Sequence, residues 1–570
     1  MLLGIPDPGQ CYWIFQSDPQ CPKLILVPSY LLGLTLYGAS MAYRKKCGRA
    51  DMGNTCVEGS SHPKIAYTLL TLSAVLPVIL LHGVIDEFTF KHVGIAIDYD
   101  LRGHIPEENL KLGKFYVPGF YILTVEISKI CNIPYDTLPF LFISLIPFIF
   151  LLFSIYNNIN NNKIICSIIV LIATTYSLTS NFLAFWVHGI GFLLFLTVIL
   201  STIILYQSNN INTRAASFLI IILSVLSVNY MSYKATFWVL SFLLSFAFIE
   251  WFEYYIIKSN YVIKSARNLR SFKSATLIGV ILTLSFNKFI YNSFIPTVKV
   301  YHEFTIGAQK IFSMLHSDPS DPLNHLYYSF PSVVTYITFM RIVLISLILF
   351  LVIIKIIKII STRDIEHFNL TIHLFIALLL IGTANFFIYN LLGLFDLVLL
   401  THAGFIALLA FYKYNMKKLA YAFIIALVVM NVIYQTAAYT YSVAPKDVNH
   451  FEYIKPSVNW YISYGIGMGF ELRTDELTKG YYIKELADER TLNYPISLYG
   501  RDVLFIIQEC TMYNPSTHTF YVINCKEPYF SVENWNVLKS LGCYSGAIES
   551  NLHLNKIYTT SSKISIYYVN

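Results

Sequence analysis

The chain has 570 residues, 56% of them hydrophobic and only 13% charged, with a net charge of +7 and a mean hydropathy of +0.57. A soluble domain is nearer half apolar and about a quarter charged, so the composition excludes an ordinary soluble globular protein. The net charge is small for this length and calls for no nucleic-acid partner, because the basic residues collect in particular loops.

The apolar excess is gathered into runs of roughly 20 residues, the length that crosses a bilayer as a helix. In chain order they cover residues 24–43, 65–84, 138–156, 164–178, 187–206, 215–231, 235–257, 275–294, 333–354, 370–390, 392–412 and 419–439. The expected fold is a polytopic α-helical membrane protein of about twelve spans. One set of alternate loops is rich in Lys and Arg: Arg44, Lys45, Lys46 and Arg49; Lys258, Lys264, Arg267, Arg270 and Lys273; Lys355, Lys358 and Arg363; Lys413, Lys417 and Lys418. Basic loops stay on the cytoplasmic side. The N-terminus, the loop 85–137, the loop 295–332 and the tail after Thr440 are then expected outside.

Residues 1–22 are Pro-rich with no basic region before an apolar core, so they do not read as a cleaved signal peptide. The nine cysteines form no CxxC pair and no metal-ligand spacing. A disulfide could form among Cys11 and Cys21 or among Cys510, Cys525 and Cys543, all expected outside, whereas Cys47 and Cys56 fall on the cytoplasmic side as free thiols. The run Asn157-Asn158-Ile159-Asn160-Asn161-Asn162 is a low-complexity turn.

Three parts follow: residues 1–63 as an anchor with a cytoplasmic linker, residues 64–440 as the membrane body, and residues 441–570 as a small outer domain. The tail is expected to be α/β. Residues 475–489 and 532–541 read as helices, the second opening after Ser531 as N-cap with Glu533 in its first turn. Residues 503–508, 519–523, 556–558 and 564–569 read as strands. It carries no glycine-rich phosphate loop and no GxSxG.

The chemistry concentrates in the loop 85–137. Asp86 and Glu87 stand at the outer end of the run 65–84, where an acid costs far less than at mid-membrane depth. Lys91 and His92 follow, then Gly103-His104-Ile105-Pro106, then Tyr116-Val117-Pro118-Gly119-Phe120. The loop is too long for a simple connector. Residues 91–98 and 120–130 could form helices at the interface, with Tyr116, Phe120 and Tyr121 at headgroup level. On one reading Asp86 is a general base on a sugar acceptor, with a lipid phosphate as leaving group held by cations. On the plain alternative, Asp86 and Glu87 solvate a helix end.

This order of motifs resembles the GT-C glycosyltransferase superfamily, whose polytopic members use polyprenyl-phosphate-linked sugars. The protein O-mannosyltransferases and the oligosaccharyltransferase catalytic subunit are examples. The resemblance covers residues 64–570; a soluble outer domain after the last span is similar to the layout of many prokaryotic members. It implies that Asp86 is catalytic with Glu87 as the nearest substitute. His92, Arg102, His104, Tyr116, Lys234 and Arg341 become candidates for binding substrate. There is no WWDYG-like acceptor motif. Asp98-Tyr99-Asp100 has the Asp-x-Asp form, and with His302 and Glu303 supplies the candidate ligands for a divalent metal. No other cofactor is implied.

Other polar positions have two readings each. Arg341 could hold the lipid phosphate with its planar fork, or pair within the helix bundle. Lys234 could touch phosphate or simply snorkel. Asp318, Asp321 and His325 could join His302 and Glu303 or belong to a solvated loop. His188 reads as a satisfied interfacial histidine, and Asp396 with His402 could face a cavity. The expected partners are a polyprenyl-phosphate sugar, membrane lipid, and a protein, lipid or glycan acceptor. Two other functions compete: a transporter or flippase of lipid-linked sugars, which should show internal repeats or broken helices, and a non-catalytic membrane assembly protein.

Overall fold

The computed structural model describes residues 89–103, 118–135, 138, 145–160, 162–179, 187–252, 274, 276–282, 332–361, 370–390, 398–413 and 416–441. In the tail it describes 455–465, 471–474, 496–498, 519–524, 555–560 and 564–569. The expected runs 24–43 and 65–84 lie outside the described residues, as do Asp86, Glu87, His104, Tyr116, His302, Glu303, Asp318, Asp321, His325 and Asp396.

Two helices form within the expected outer loop: α1 (Thr89–Arg102) and α2 (Gly119–Cys131). Asn132 closes α2 in the left-handed conformation, with φ 52° and ψ 46°, and its N–H returns to the carbonyl of Ser128. The body continues with α3 (Leu145–Ile159), α4 (Lys163–Thr179), α5 (Val187–Gln207), α6 (Ile211–Met231) and α7 (Tyr233–Phe252). Residues 276–282 are helical. Then come α8 (Ser332–Ser361), α9 (Leu370–Asn390), α10 (Val398–Lys413) and α11 (Lys417–Tyr441). Helix therefore occurs in every apolar run from 138–156 onward.

Asn210 starts α6, its side-chain oxygen accepting from the Asn212 N–H at 2.9 Å. α5 and α6 pack closely as a hairpin, and α5 also touches α3 and α7. α9 packs against α7 and α10, and α10 against α8 and α11; α1 lies on α2, which reaches α6. The core is aromatic: Phe148, Phe192, Phe195, Trp238, Phe242 and Phe246 are all essentially inaccessible.

Three helices expose apolar side chains and bury polar ones within an otherwise apolar inner face. α6 buries Ser217, Ser224 and Asn229 but exposes Ile211, Leu219, Ile220 and Leu223. α8 buries Arg341 while Met340, Val343, Leu347, Phe350, Ile354 and Ile357 form an exposed stripe at alternating three- and four-residue spacing. α11 buries Asn431 beneath exposed Tyr421, Ile425, Val429 and Ile433. A helix on the surface of a water-soluble protein exposes polar side chains instead. Among the described residues, α5 and α6 are long and apolar enough to cross a membrane, with mean hydropathy 2.4 and 1.8.

The tail opens with a short helix, α12 (Lys455–Trp460), continued by a π-helical turn over Tyr461–Gly465. Five strands follow: β1 (Glu471–Thr474), β2 (Ile496–Leu498), β3 (Thr519–Asn524), β4 (Asn555–Thr560) and β5 (Ile564–Val569). They form one mixed sheet in the order β2-β1-β3-β5-β4. β1 runs parallel to β2 and β3, pairing Leu472 with Ile496 and with Phe520; β5 is antiparallel to β3 and β4. α12 packs on β4 and β5. The expected strands 519–523, 556–558 and 564–569 are present. The expected strand 503–508 and helices 475–489 and 532–541 lie outside the described residues.

Candidate functional site

The candidate site is drawn from α1 and α2, the α6–α7 joint and the first turn of α5. His92 on α1 is 2% exposed, and its Nδ1 lies 2.9 Å from the hydroxyl of Tyr121 on α2. The edge of Phe120 also meets the imidazole, and Tyr99 packs on Tyr121 with ring centroids 5.3 Å apart. His92 and Tyr99 are seven residues apart, two helical turns, so both fall on the face that meets α2. α2 in turn presses on α6 through Gly119. A Cβ there would sit 2.6 Å from the carbonyl oxygen of Tyr230, so this approach needs glycine.

His188 lies in the first turn of α5, buried, with Nδ1 2.7 Å from Oγ of Ser232. Ser232 is the single residue between α6 and α7. Its Oγ accepts from the Ala235 N–H at 3.3 Å, its own N–H donates to the Val228 carbonyl at 2.9 Å, and Thr236 Oγ1 donates to its carbonyl at 2.9 Å. Ser232 thus ends one helix, starts the next and holds a histidine. Gly191, one turn past His188, makes room: a Cβ there would come within 2.7 Å of Ser232 Cβ.

Lys234 follows in the first turn of α7, 6% exposed, with its ammonium 5.4 Å from the centroid of the Trp238 ring one turn on. Lys234 and His92 both act electrostatically on His188. Three basic side chains from three elements, His92, His188 and Lys234, therefore lie near enough to interact electrostatically, with His92 beside the Tyr121 hydroxyl and His188 beside the Ser232 hydroxyl. The set combines an ammonium with two imidazoles and two hydroxyls, groups that can hydrogen-bond an anion.

The C-terminal end of α1 is a separate arrangement. Arg102 donates from Nε to Asp98 Oδ1 at 2.8 Å across one turn. Asp100 is ion-paired with Lys129 of α2 and accepts from the Tyr135 hydroxyl at 2.9 Å. Burial and that hydrogen bond push the Tyr135 phenol up to about 12, and Asp100 raises the Lys129 ammonium above its usual range. Asp98, Asp100 and Arg102 thus tie α1 to itself and to α2. Among the described residues, no group of three His, Cys, Asp or Glu is placed to hold a metal.

Comparison with known proteins finds no matching family model and no matching curated protein.

Of the residues expected to bind substrate, the fold thus brings His92 and Lys234 toward one point. Arg341 is 7% exposed on α8, whose closest neighbours α10 and α11 carry none of the cluster. His402 does line a small cavity, large enough for about one water, with Tyr156, Phe192 and Leu378. Its Nδ1 lies 3.1 Å from the Tyr156 hydroxyl. His188, Ser232 and Tyr121 are the site residues that sequence reading passed over as binding groups. The one signal for Ser232 was the polar triplet Ser232-Tyr233-Lys234 breaking two long apolar runs.

Proposed function

We propose that this chain is a multi-spanning membrane glycosyltransferase resembling the GT-C superfamily, acting on the outer face with a polyprenyl-phosphate-linked sugar as donor. The convergence of His92, His188 and Lys234 with two hydroxyls supports this reading most directly, because a phosphate leaving group needs such a set. The membrane part of the reading is supported by the apolar exposed faces of α6, α8 and α11 and by the length of α5 and α6. A surface that presents Leu, Ile and Phe while hiding Ser, Asn and Arg matches an apolar solvent.

Asp86 is the proposed general base. It precedes His92 by six residues, so even fully extended chain keeps the two within about 20 Å. Its carboxylate takes the proton of the acceptor hydroxyl or amide as that atom attacks the anomeric carbon. The bond from that carbon to the phosphate oxygen breaks, and the electron pair leaves with the polyprenyl phosphate. Lys234 then stabilises the charge gained by the leaving group, with the imidazoles of His92 and His188 as hydrogen-bonding neighbours. Asp98 and Asp100, with His302 and Glu303, remain candidates for a divalent metal, and no step here depends on one.

The test is sugar transfer from a defined polyprenyl-phosphate donor by the full chain in detergent. Asp86→Asn should lose about 100- to 10,000-fold in turnover, the usual contribution of a general base. Glu87→Gln should fall far less. Unchanged turnover in Asp86→Asn removes Asp86 from the role.

A further inference from the structure

We infer that Asn385 is a positioning residue for Lys234, acting through the indole ring of Trp238. This rests on the anion-binding reading of Lys234 for its meaning, though not for the contacts themselves. Asn385 lies on α9, a helix that contributes no member of the basic cluster. Its Oδ1 accepts from the Trp238 Nε1–H at 2.8 Å, and both side chains are wholly buried. An indole N–H has one direction in which to donate, so this bond sets the rotation of the ring. Phe192 meets the same ring edge-on at 5.7 Å, and Phe195 packs on it at 6.0 Å.

The orientation matters because of what stands over the ring. Lys234 and Trp238 are four residues apart on α7 and share a face. The ammonium lies 5.4 Å from the ring centroid, inside the range where the negative π-face attracts a cation. A lysine ammonium sits on a flexible four-carbon stem and has no geometry of its own. An indole held in one orientation supplies one fixed point for it. The chain of control runs from the Asn385 amide to the Trp238 ring to the Lys234 ammonium, and so from α9 to the cluster at the first turn of α7.

The experiment uses the full chain in detergent micelles, with fluorine-labelled tryptophan and the Trp238 resonance assigned by W238F. K234M should move the Trp238 resonance in the wild-type background. In N385L, which removes the acceptor, that displacement should shrink at least about twofold, the sign of coupling between the two sites. N385D keeps an oxygen at the same place and should retain it. N385S, whose hydroxyl is too short to reach Nε1, provides a second variant that should behave as N385L does. An equal K234M displacement in N385L or N385S overturns the proposal. Titration with inorganic phosphate gives the second readout: the wild-type Trp238 resonance should respond, and the midpoint should rise several-fold in N385L. If the coupling is found but phosphate moves nothing, Asn385 keeps its positioning role and the anion site is lost.

Discussion

Ser232 stands with its hydroxyl 2.7 Å from Nδ1 of His188, and Gly191 is what lets it come so near. A methyl at Gly191 would meet Ala235 Cβ at 2.6 Å and Ser232 Cβ at 2.7 Å. Neither neighbour is the free end of a flexible side chain, so α5 must move away from the α6–α7 joint. Gly191→Ala should destabilise the protein by about 1–3 kcal/mol, the usual cost of overpacking. Thermal unfolding in detergent measures the loss. Loss of the His188–Ser232 contact should appear as a shift of the His188 ring resonances.

Gly119 and Gly103 predict opposite sensitivities to space and strain. Gly119→Ala drives a methyl into the Tyr230 carbonyl at 2.6 Å, with backbone on the receiving side. It should cost about 1–3 kcal/mol and should loosen Tyr121 from His92. Gly103 has open space around it and a φ of 66°. Gly103→Ala should cost only the strain of a left-handed residue, on the order of 1 kcal/mol, and should leave His92 undisturbed. Equal effects at both positions would contradict the packing of α2 on α6.

The clamp between α1 and α2 should open in alkali. The Tyr135 phenol is held at about 12 in the folded protein, against about 10 for a free tyrosine. The folded state therefore binds this proton more tightly than the unfolded state. Its stabilising effect is complete below about pH 10 and is lost as pH rises toward about 12. Lys129, raised by Asp100, works in the same direction. Carbon-labelled tyrosine spectra, with the signal assigned by Tyr135→Phe, should show Tyr135 titrating near pH 12. Asp100→Asn should lower that midpoint.

A charge on the exposed stripe of α8 separates lipid from water as the surrounding solvent. Leu347 is exposed in the middle of that stripe. Facing hydrocarbon, Leu347→Arg should cost about 2.5–3.5 kcal/mol and reduce the yield recovered from membranes. Facing water, the same substitution would change stability by less than about 0.5 kcal/mol. A variant that accumulates and unfolds like the wild type would refute the membrane assignment of α8.

Lys234→Met tests the cluster at its least ambiguous cation. Losing one charge-assisted hydrogen bond to the donor phosphate removes about 1.5–3 kcal/mol, which is a loss of about 10- to 100-fold in apparent affinity for a polyprenyl-phosphate sugar. The matching variant of the clamp, Lys129→Met, should leave that affinity unchanged. Donor affinity that is equal in both variants would exclude Lys234 from the site.

Helix positions were readable in the chain because each apolar run has its own length and boundary. The run 370–390 coincides with α9, whereas the caps at Asn210 and Ser232 show only in the folded chain. The strands 519–523 and 564–569 were legible from alternating branched and aromatic residues, whereas the parallel pairing of β1 with β2 depends on residues far apart in sequence. The cluster was only half legible. His92 and Lys234 stood out as charges near apolar runs, but His188 looked like one more interfacial histidine. Its partnership with Ser232 spans 44 residues and exists only because Gly191 allows the helices to close. Asn385 was invisible for the same reason, being 147 residues from the indole it orients.

The one-residue joint at Ser232 also sets what changes in length the chain can accept. An α-helix turns about 100° per residue. Adding or deleting a single residue between Met231 and Tyr233 would swing Lys234 and Trp238 to another side of α7, away from His188 and Asn385. Natural relatives should therefore keep the distance from Ser232 to Trp238 constant to the residue.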